Sequence, residues 1–175
     1  MKRICAIAFL ISILLALAGC GSNKTSNSVT FYYPRNPKDS ARSFSETFYG
    51  TEKRNCNNAQ DLQHLLTTYL QGPLGDDLIS PFPEDTLLTD LEILETQITV
   101  CLTGEFSRLS GINLTTACAC LSLTVFSLTD AETVRIISPA IDKMPAVEMT
   151  MSRTNLILTD TVTGSPGTGN RKDPV

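Results

Sequence analysis

Tryptophan is absent, histidine occurs once, and aromatic residues make up only 6% of the chain. Sugar-binding platforms rely on flat aromatic rings, so the missing tryptophan weighs against one; the rings on hand are Tyr32, Tyr33, Tyr49 and Phe82. With one histidine and no C-x-x-C or H-x-x-x-H pattern, a zinc site lacks both ligands and spacing. His64 falls instead on the polar side of a predicted helix, between Gln63 and Leu65. No G-x-S-x-G elbow or Cys–His signature occurs, which leaves no recognisable nucleophile. Clusters of Lys or Arg are also missing, and acids outnumber bases 18 to 14, which disfavours nucleic acid and anionic lipid as direct partners, so no nucleic acid is expected.

One long apolar run is present, Ile4 to Ala18 interrupted only by Ser12, directly behind Lys2 and Arg3. At the helical rise it spans roughly 22 Å, short of a hydrocarbon core of about 30 Å, so it reads as an export signal and not as a span. The run closes on Leu17-Ala18-Gly19-Cys20, which resembles the lipobox of bacterial lipoproteins. That resemblance implies a diacylglyceryl group on the Cys20 thiol and cleavage between Gly19 and Cys20. Two or three acyl chains, at about 0.8 kcal/mol per buried methylene, hold a protein where one chain binds only marginally. The expected location is extracytoplasmic, lipid-anchored to the outer leaflet of the bacterial cell membrane.

Composition divides the chain into a signal peptide (1–19), a lipidated flexible tether of small polar residues (20–28), a folded domain (29–160) and a disordered tail (161–175). Loss of Lys2 and Arg3 with the signal leaves 12 basic residues of the 14 against 18 acidic ones, so the charge moves from −4 to −6. Of the six cysteines, Cys5 leaves with the signal and Cys20 is acylated, leaving Cys56, Cys101, Cys118 and Cys120. Cys118 and Cys120 lie two apart in a predicted helix, where they do not face each other, and read as small buried hydrophobes. A Cys56–Cys101 disulfide is compatible with the oxidising compartment.

Periodicity sets the elements. Val29, Phe31 and Tyr33 alternate with polar neighbours and predict a strand ending at Pro34; Phe44 to Tyr49 reads as a short edge strand. Leu62, Leu65, Leu66, Tyr69 and Leu70 recur at helical spacing, with a cap from Asn57 or Asn58 and a stop at Gly72-Pro73. The loop from residue 72 to 85 holds Asp76, Asp77, Glu84 and Asp85 without the order of a calcium loop, and Phe82 within it is an expected interaction residue. Leu87, Leu91 and Ile93, then Ile98, Val100 and Leu102, predict a hairpin turning near Glu95. Ser110 to Thr129 predicts a helix apolar on most sides, followed by a strand at Val134 and Ile136 and a terminal hairpin from Val147 to Leu158.

The outcome is an α+β fold, a single two-layer domain of roughly β-α-β-β-α-β order with an extra terminal hairpin. From Thr30 to Ile137 the chain resembles the GerMN domain of bacterial lipoproteins of sporulation and spore germination. Phe31-Tyr32-Tyr33-Pro34, Tyr69-Leu70-Gln71-Gly72-Pro73, the stretch from Thr99 to Phe106, and the run from Ala117 through Leu128 to Thr133-Val134-Arg135-Ile136 carry the resemblance. Leu94-Glu95-Thr96-Gln97 stands where family members commonly have an Asp-Gly turn. The resemblance implies an architecture similar to ring-building-motif domains and a non-enzymatic role supporting a cell-envelope assembly, through envelope proteins or self-assembly. It supplies no catalytic, cofactor or metal residues; Cys20, the lipidation site, is the one position carried over.

Two other classes stay open. A peptidoglycan hydrolase would use Glu92, Glu95 or Glu105 as acid and base, with Glu105 the first choice. A glycan- or peptide-binding lipoprotein would use the four rings named above. The lipobox has its own test: Cys20→Ala is expected to leave full-length precursor without acyl mass by mass spectrometry, and a cleaved, acylated product would contradict it.

Overall fold

The structure is a computed structural model that describes residues 27–38, 48–154 and 156. The lipobox with Cys20, most of the tether, Phe44, the second arm of the terminal hairpin and the tail lie outside the described residues. The elements are β1 (Ser28–Pro34), β2 (Tyr49–Asn55), α1 (Leu62–Leu70), β3 (Leu88–Leu94), β4 (Gln97–Leu102), α2 (Gly111–Leu128), β5 (Thr133–Ser138) and β6 (Val147–Ser152). A 3-10 turn at Gly104–Arg108 joins β4 to α2. The architecture is α+β, with an antiparallel β1–β2 ribbon and a four-stranded sheet in the order β3-β4-β5-β6. The central pair β4–β5 is parallel and its neighbours are antiparallel, so α2 is the crossover that a parallel pair requires.

Period-two patterning accounts for β1, β4 and β5. Val29, Phe31 and Tyr33 are buried on one face of β1, as are Ile98, Val100 and Leu102 on β4 and Val134 and Ile136 on β5. The N-cap of helix α1 lies three positions after Asn58 and four after Asn57, the caps expected from the sequence: it is Asp61, its Oδ1 accepting from the His64 N–H at 3.0 Å. Gly72, at φ 91°, ends the turn that follows the helix in a conformation costly for any residue with a Cβ. The β3–β4 hairpin turns at Glu95, at φ 47°.

Where the expectations fail, the cause is specific. The second strand begins at Tyr49 instead of ending there, and its core-facing positions are Glu52 and Arg54, which no hydrophobic pattern reveals. The last strand, β6, pairs with β5 and extends the sheet. Helix α2 is long and apolar enough to cross a bilayer, with a mean hydropathy of 1.5, yet half of it is buried within this domain. Its apolar circumference follows from being packed by β1 as well as by β5 and β6.

One side chain joins these parts. Tyr69 is fully buried at the end of α1, with its ring centroid 5.5 Å from Phe31, 4.7 Å from Tyr33 and 5.4 Å from Phe82. Its hydroxyl donates to the Tyr32 carbonyl at 2.8 Å, and its own carbonyl accepts from the Tyr33 hydroxyl at 2.7 Å. The Tyr32 N–H donates to Thr124 Oγ1 of α2 at 3.0 Å, and Ser127 Oγ donates to the Thr30 carbonyl at 2.8 Å. The β1 edge away from β2 is therefore closed by side-chain hydroxyls from two helices. Burial pushes both the Tyr69 and Tyr33 phenols well above the ordinary range, which keeps them protonated as donors.

Arginines close both helix C-termini. Arg54 of β2 donates to the Gly72 carbonyl at 2.6 Å and the Thr68 carbonyl at 3.4 Å, and lies over the Phe31 ring at 5.2 Å. Arg153, after β6, donates to the Phe126, Thr129 and Ala131 carbonyls at 3.0 to 3.1 Å and lies over Phe126 at 4.9 Å. A cation at this end complements the helix dipole and satisfies carbonyls with no intrahelical donor. Glu52 pairs with Arg54 and accepts the Leu74 N–H at 2.8 Å. Burial pushes the Glu52 carboxyl up, but the bonds from Arg54, Leu74 and Gly75 outweigh it and hold the group below its ordinary value. A depressed folded pKa contributes stability above the ordinary glutamate range that is lost as pH falls through the folded value. The stability gap between the wild type and Glu52→Gln, read by urea denaturation, is expected to shrink from about pH 7 to about pH 3; a constant gap would refute the assignment.

Candidate functional site

Among the described residues the helices pack on one face of the four-stranded sheet, where Ile98, Val100, Leu102, Val134 and Ile136 are buried. On the other face the register sets Asp90, Glu92 and Leu94 of β3 beside Cys101, Thr99 and Gln97 of β4, then Ile137, Arg135 and Thr133 of β5, then Glu148, Thr150 and Ser152 of β6. Arg135 is committed to Glu148, with Nη2 at 2.8 Å and Nε at 3.1 Å from Oε1. Asp90 and Glu92 belong to none of the three ion pairs among the described residues. Burial, with the charges of Asp90 and Glu92, pushes the Cys101 thiol up, and Arg135 opposes them.

Strand β3 is the exposed border of that sheet. Leu88 and Leu91 pack against the core, but Ile93 is 60% exposed and Leu94 54%, with Leu87 exposed just before the strand. Among the described residues no strand or bridge pairs with its outer side. An uncovered edge with apolar side chains is a template for another chain. This is the feature of the fold best suited to contact a protein.

The residues singled out from the sequence do not gather into a site. Glu95 and Glu105 flank opposite ends of β4, six residues spanning roughly 16 Å, beyond the separation a pair of catalytic carboxyl groups uses. Glu92 faces the open side of the sheet from β3. His64 is exposed on α1, and Asp76, Asp77, Glu84 and Asp85 are exposed along their loop. No group of three or more His, Cys, Asp or Glu that could hold a metal forms among the described residues.

Phe82 corrects one expectation. It is only 9% exposed, filling the core between Tyr69 and Phe106, because its loop folds back over α1's end; it is not an interaction residue. With Tyr33 also buried, only Tyr32 and Tyr49 remain partly accessible, 5.7 Å apart on the ribbon, so the four rings do not form one platform. A groove of about 790 Å³ between Thr30, Asn58, Gln60 and Ser127 is lined by hydroxyl and carboxamide residues together with Asp61, Val29, Ala59 and Leu128, with no ring to stack on a sugar.

The described cysteines are all free. Cys118 and Cys120 are buried on α2, and burial pushes both thiols up to about 12. The Cys56–Cys101 disulfide is not formed, because Cys56 sits in the core while Cys101 faces the open side of the sheet. Sequence reasoning missed the pairing role of Arg135 and that Asp90 and Glu92 enter no ion pair among the described residues. The alternation Asp90-Leu91-Glu92-Ile93 was the available signal.

No family model matches the chain, and no curated protein matches it. Among solved structures it is similar to the tandem GerMN domains of the sporulation protein GerM from Bacillus subtilis, at 18% identity and a TM-score of 0.48, covering 74% of this chain and 47% of that one. The chain thus spans about half the length of that tandem structure. It is also similar to a protein from Clostridium perfringens assigned as a lipoprotein, at 15% identity and a TM-score of 0.45, covering 73% of this chain and 87% of the other.

Proposed function

We propose that this chain is a bacterial lipoprotein, acylated on Cys20 and held on the outer leaflet, whose GerMN-like domain binds an envelope protein and catalyses no reaction. Sporulation or spore germination is the setting that the sequence resemblance implies. The observation that carries the reading is the uncovered β3 edge, with Ile93 and Leu94 more than half exposed at the border of an otherwise well-packed sheet. The lack of convergence between Glu95 and Glu105 supports binding over hydrolysis. The segments that carry the resemblance agree with a structural role for that signature. Phe31 and Tyr33, Tyr69 and Phe106 are fully buried, so they build the domain and leave partner choice to the surface.

Crosslinking in cells followed by mass spectrometry tests this directly. The expected result is recovery of an envelope protein with the wild type and its loss with Ile93→Asp, a substitution at an exposed position that the fold should tolerate. Recovery of no envelope protein, together with wall-cleaving activity abolished by Glu105→Gln, would overturn the reading in favour of the hydrolase.

A further inference from the structure

We propose that Asp90–Leu94 of β3 is a template for strand addition by an extended segment of another protein in which basic residues alternate with apolar ones, and not by a second copy of this chain. This rests on the protein-binding reading above and names the chemistry of the partner.

The backbone geometry defines the template. Leu94 pairs with Gln97 across the two-residue turn, Ile93 with Ile98, and Leu91 with Val100. In such an antiparallel ladder the N–H and C=O groups of Leu94 and Glu92 point to β4, and those of Ile93 and Leu91 point to the free edge. Consistent with this, the Leu91 N–H is bonded to its neighbour's carboxylate, Asp90 Oδ1, at 2.9 Å. A register shift between Leu88 and Asp90 breaks the ladder there and limits the open stretch to Asp90–Leu94.

Charge selects the occupant. Asp90 and Glu92 stand on the same side of the strand, in no ion pair among the described residues, and Arg135, two strands away in register with Glu92, is taken by Glu148. An incoming strand therefore meets on one face the carboxylates of Glu92 and of Asp90, the latter with one oxygen on the Leu91 N–H, and on the other the exposed Ile93. Lysine or arginine opposite Asp90 and Glu92, alternating with apolar residues that cover Leu91 and Ile93, satisfies both faces at once. A second copy does the opposite. In the antiparallel register that overlaps Asp90–Leu94 in full, Glu92 of each copy falls opposite Glu92 of the other, and like charges directly opposed are destabilising. The acidic excess of the whole chain, 18 acids to 14 bases, adds to that repulsion.

The test uses the mature acylated chain in detergent micelles and two fluorescent peptides of about eight residues, one alternating Lys and Val and one alternating Glu and Val. Anisotropy is expected to show binding of the Lys–Val peptide alone, weakened by salt. The Asp90→Asn, Glu92→Gln double variant is expected to bind it roughly two- to thirtyfold less tightly. Ile93→Pro removes an edge N–H while leaving both charges, and is expected to abolish binding if the peptide adds as a strand. Equal binding of the two peptides, undiminished binding by Ile93→Pro, or wild-type dimerisation abolished by Ile93→Pro would each overturn this inference. Those results leave the protein-binding reading standing, which fails only in the crosslinking experiment.

Discussion

The hydroxyl of Tyr69 solves a problem that the rest of the fold is arranged around. Among the described residues strand β1 has a strand partner on one side only, and its other edge is packed against α2, where unpaired backbone groups are costly. Tyr32 presents both an N–H and a C=O there. Thr124 accepts from the first and Tyr69 donates to the second, so α1, α2 and β1 are tied at one residue. The same ring stacks on Tyr33 and meets Phe82 edge-on, which draws the long loop after α1 into the core. One edge of the ribbon is thereby closed from inside, while β3 at the border of the larger sheet stays open.

Two arginines extend the principle to the helix ends. Arg54 and Arg153 come from different strands' ends, yet each bonds carbonyls at the C-terminus of a helix and lies over a phenylalanine of the core. Each therefore packs and caps together. The cost of placing charge near the core is offset for Arg54 by Glu52, whose second oxygen also fixes the loop at Leu74. The result is that β2, the least apolar strand, is held by electrostatics and hydrogen bonds where its neighbours are held by burial.

That difference explains which parts of the chain were legible. Val29, Phe31 and Tyr33 at period two, and Leu62, Leu65, Leu66 and Tyr69 at helical spacing, announce β1 and α1 because their burial is hydrophobic. β2 was not legible: Glu52 and Arg54 occupy its inward positions and look like surface charges until their partners, Thr68, Gly72 and Leu74, are brought in from elsewhere. Phe82 was misplaced for a related reason, since a proline-rich loop gives no period from which to infer that it folds onto Tyr69 and Phe106. Of the candidate site, the alternation at Asp90 to Ile93 was visible, but exposure of Ile93 depends on where the helices end over the sheet, which is a tertiary property.

Equilibrium urea denaturation of Tyr69→Phe tests the central claim most directly, because the substitution keeps the ring contacts and removes only the hydroxyl that serves the Tyr32 carbonyl. A loss of about 1–3 kcal/mol with an unchanged denaturant slope is expected for an orphaned buried acceptor. A change within about 0.3 kcal/mol would contradict the view that this hydrogen bond holds β1 between the two helices.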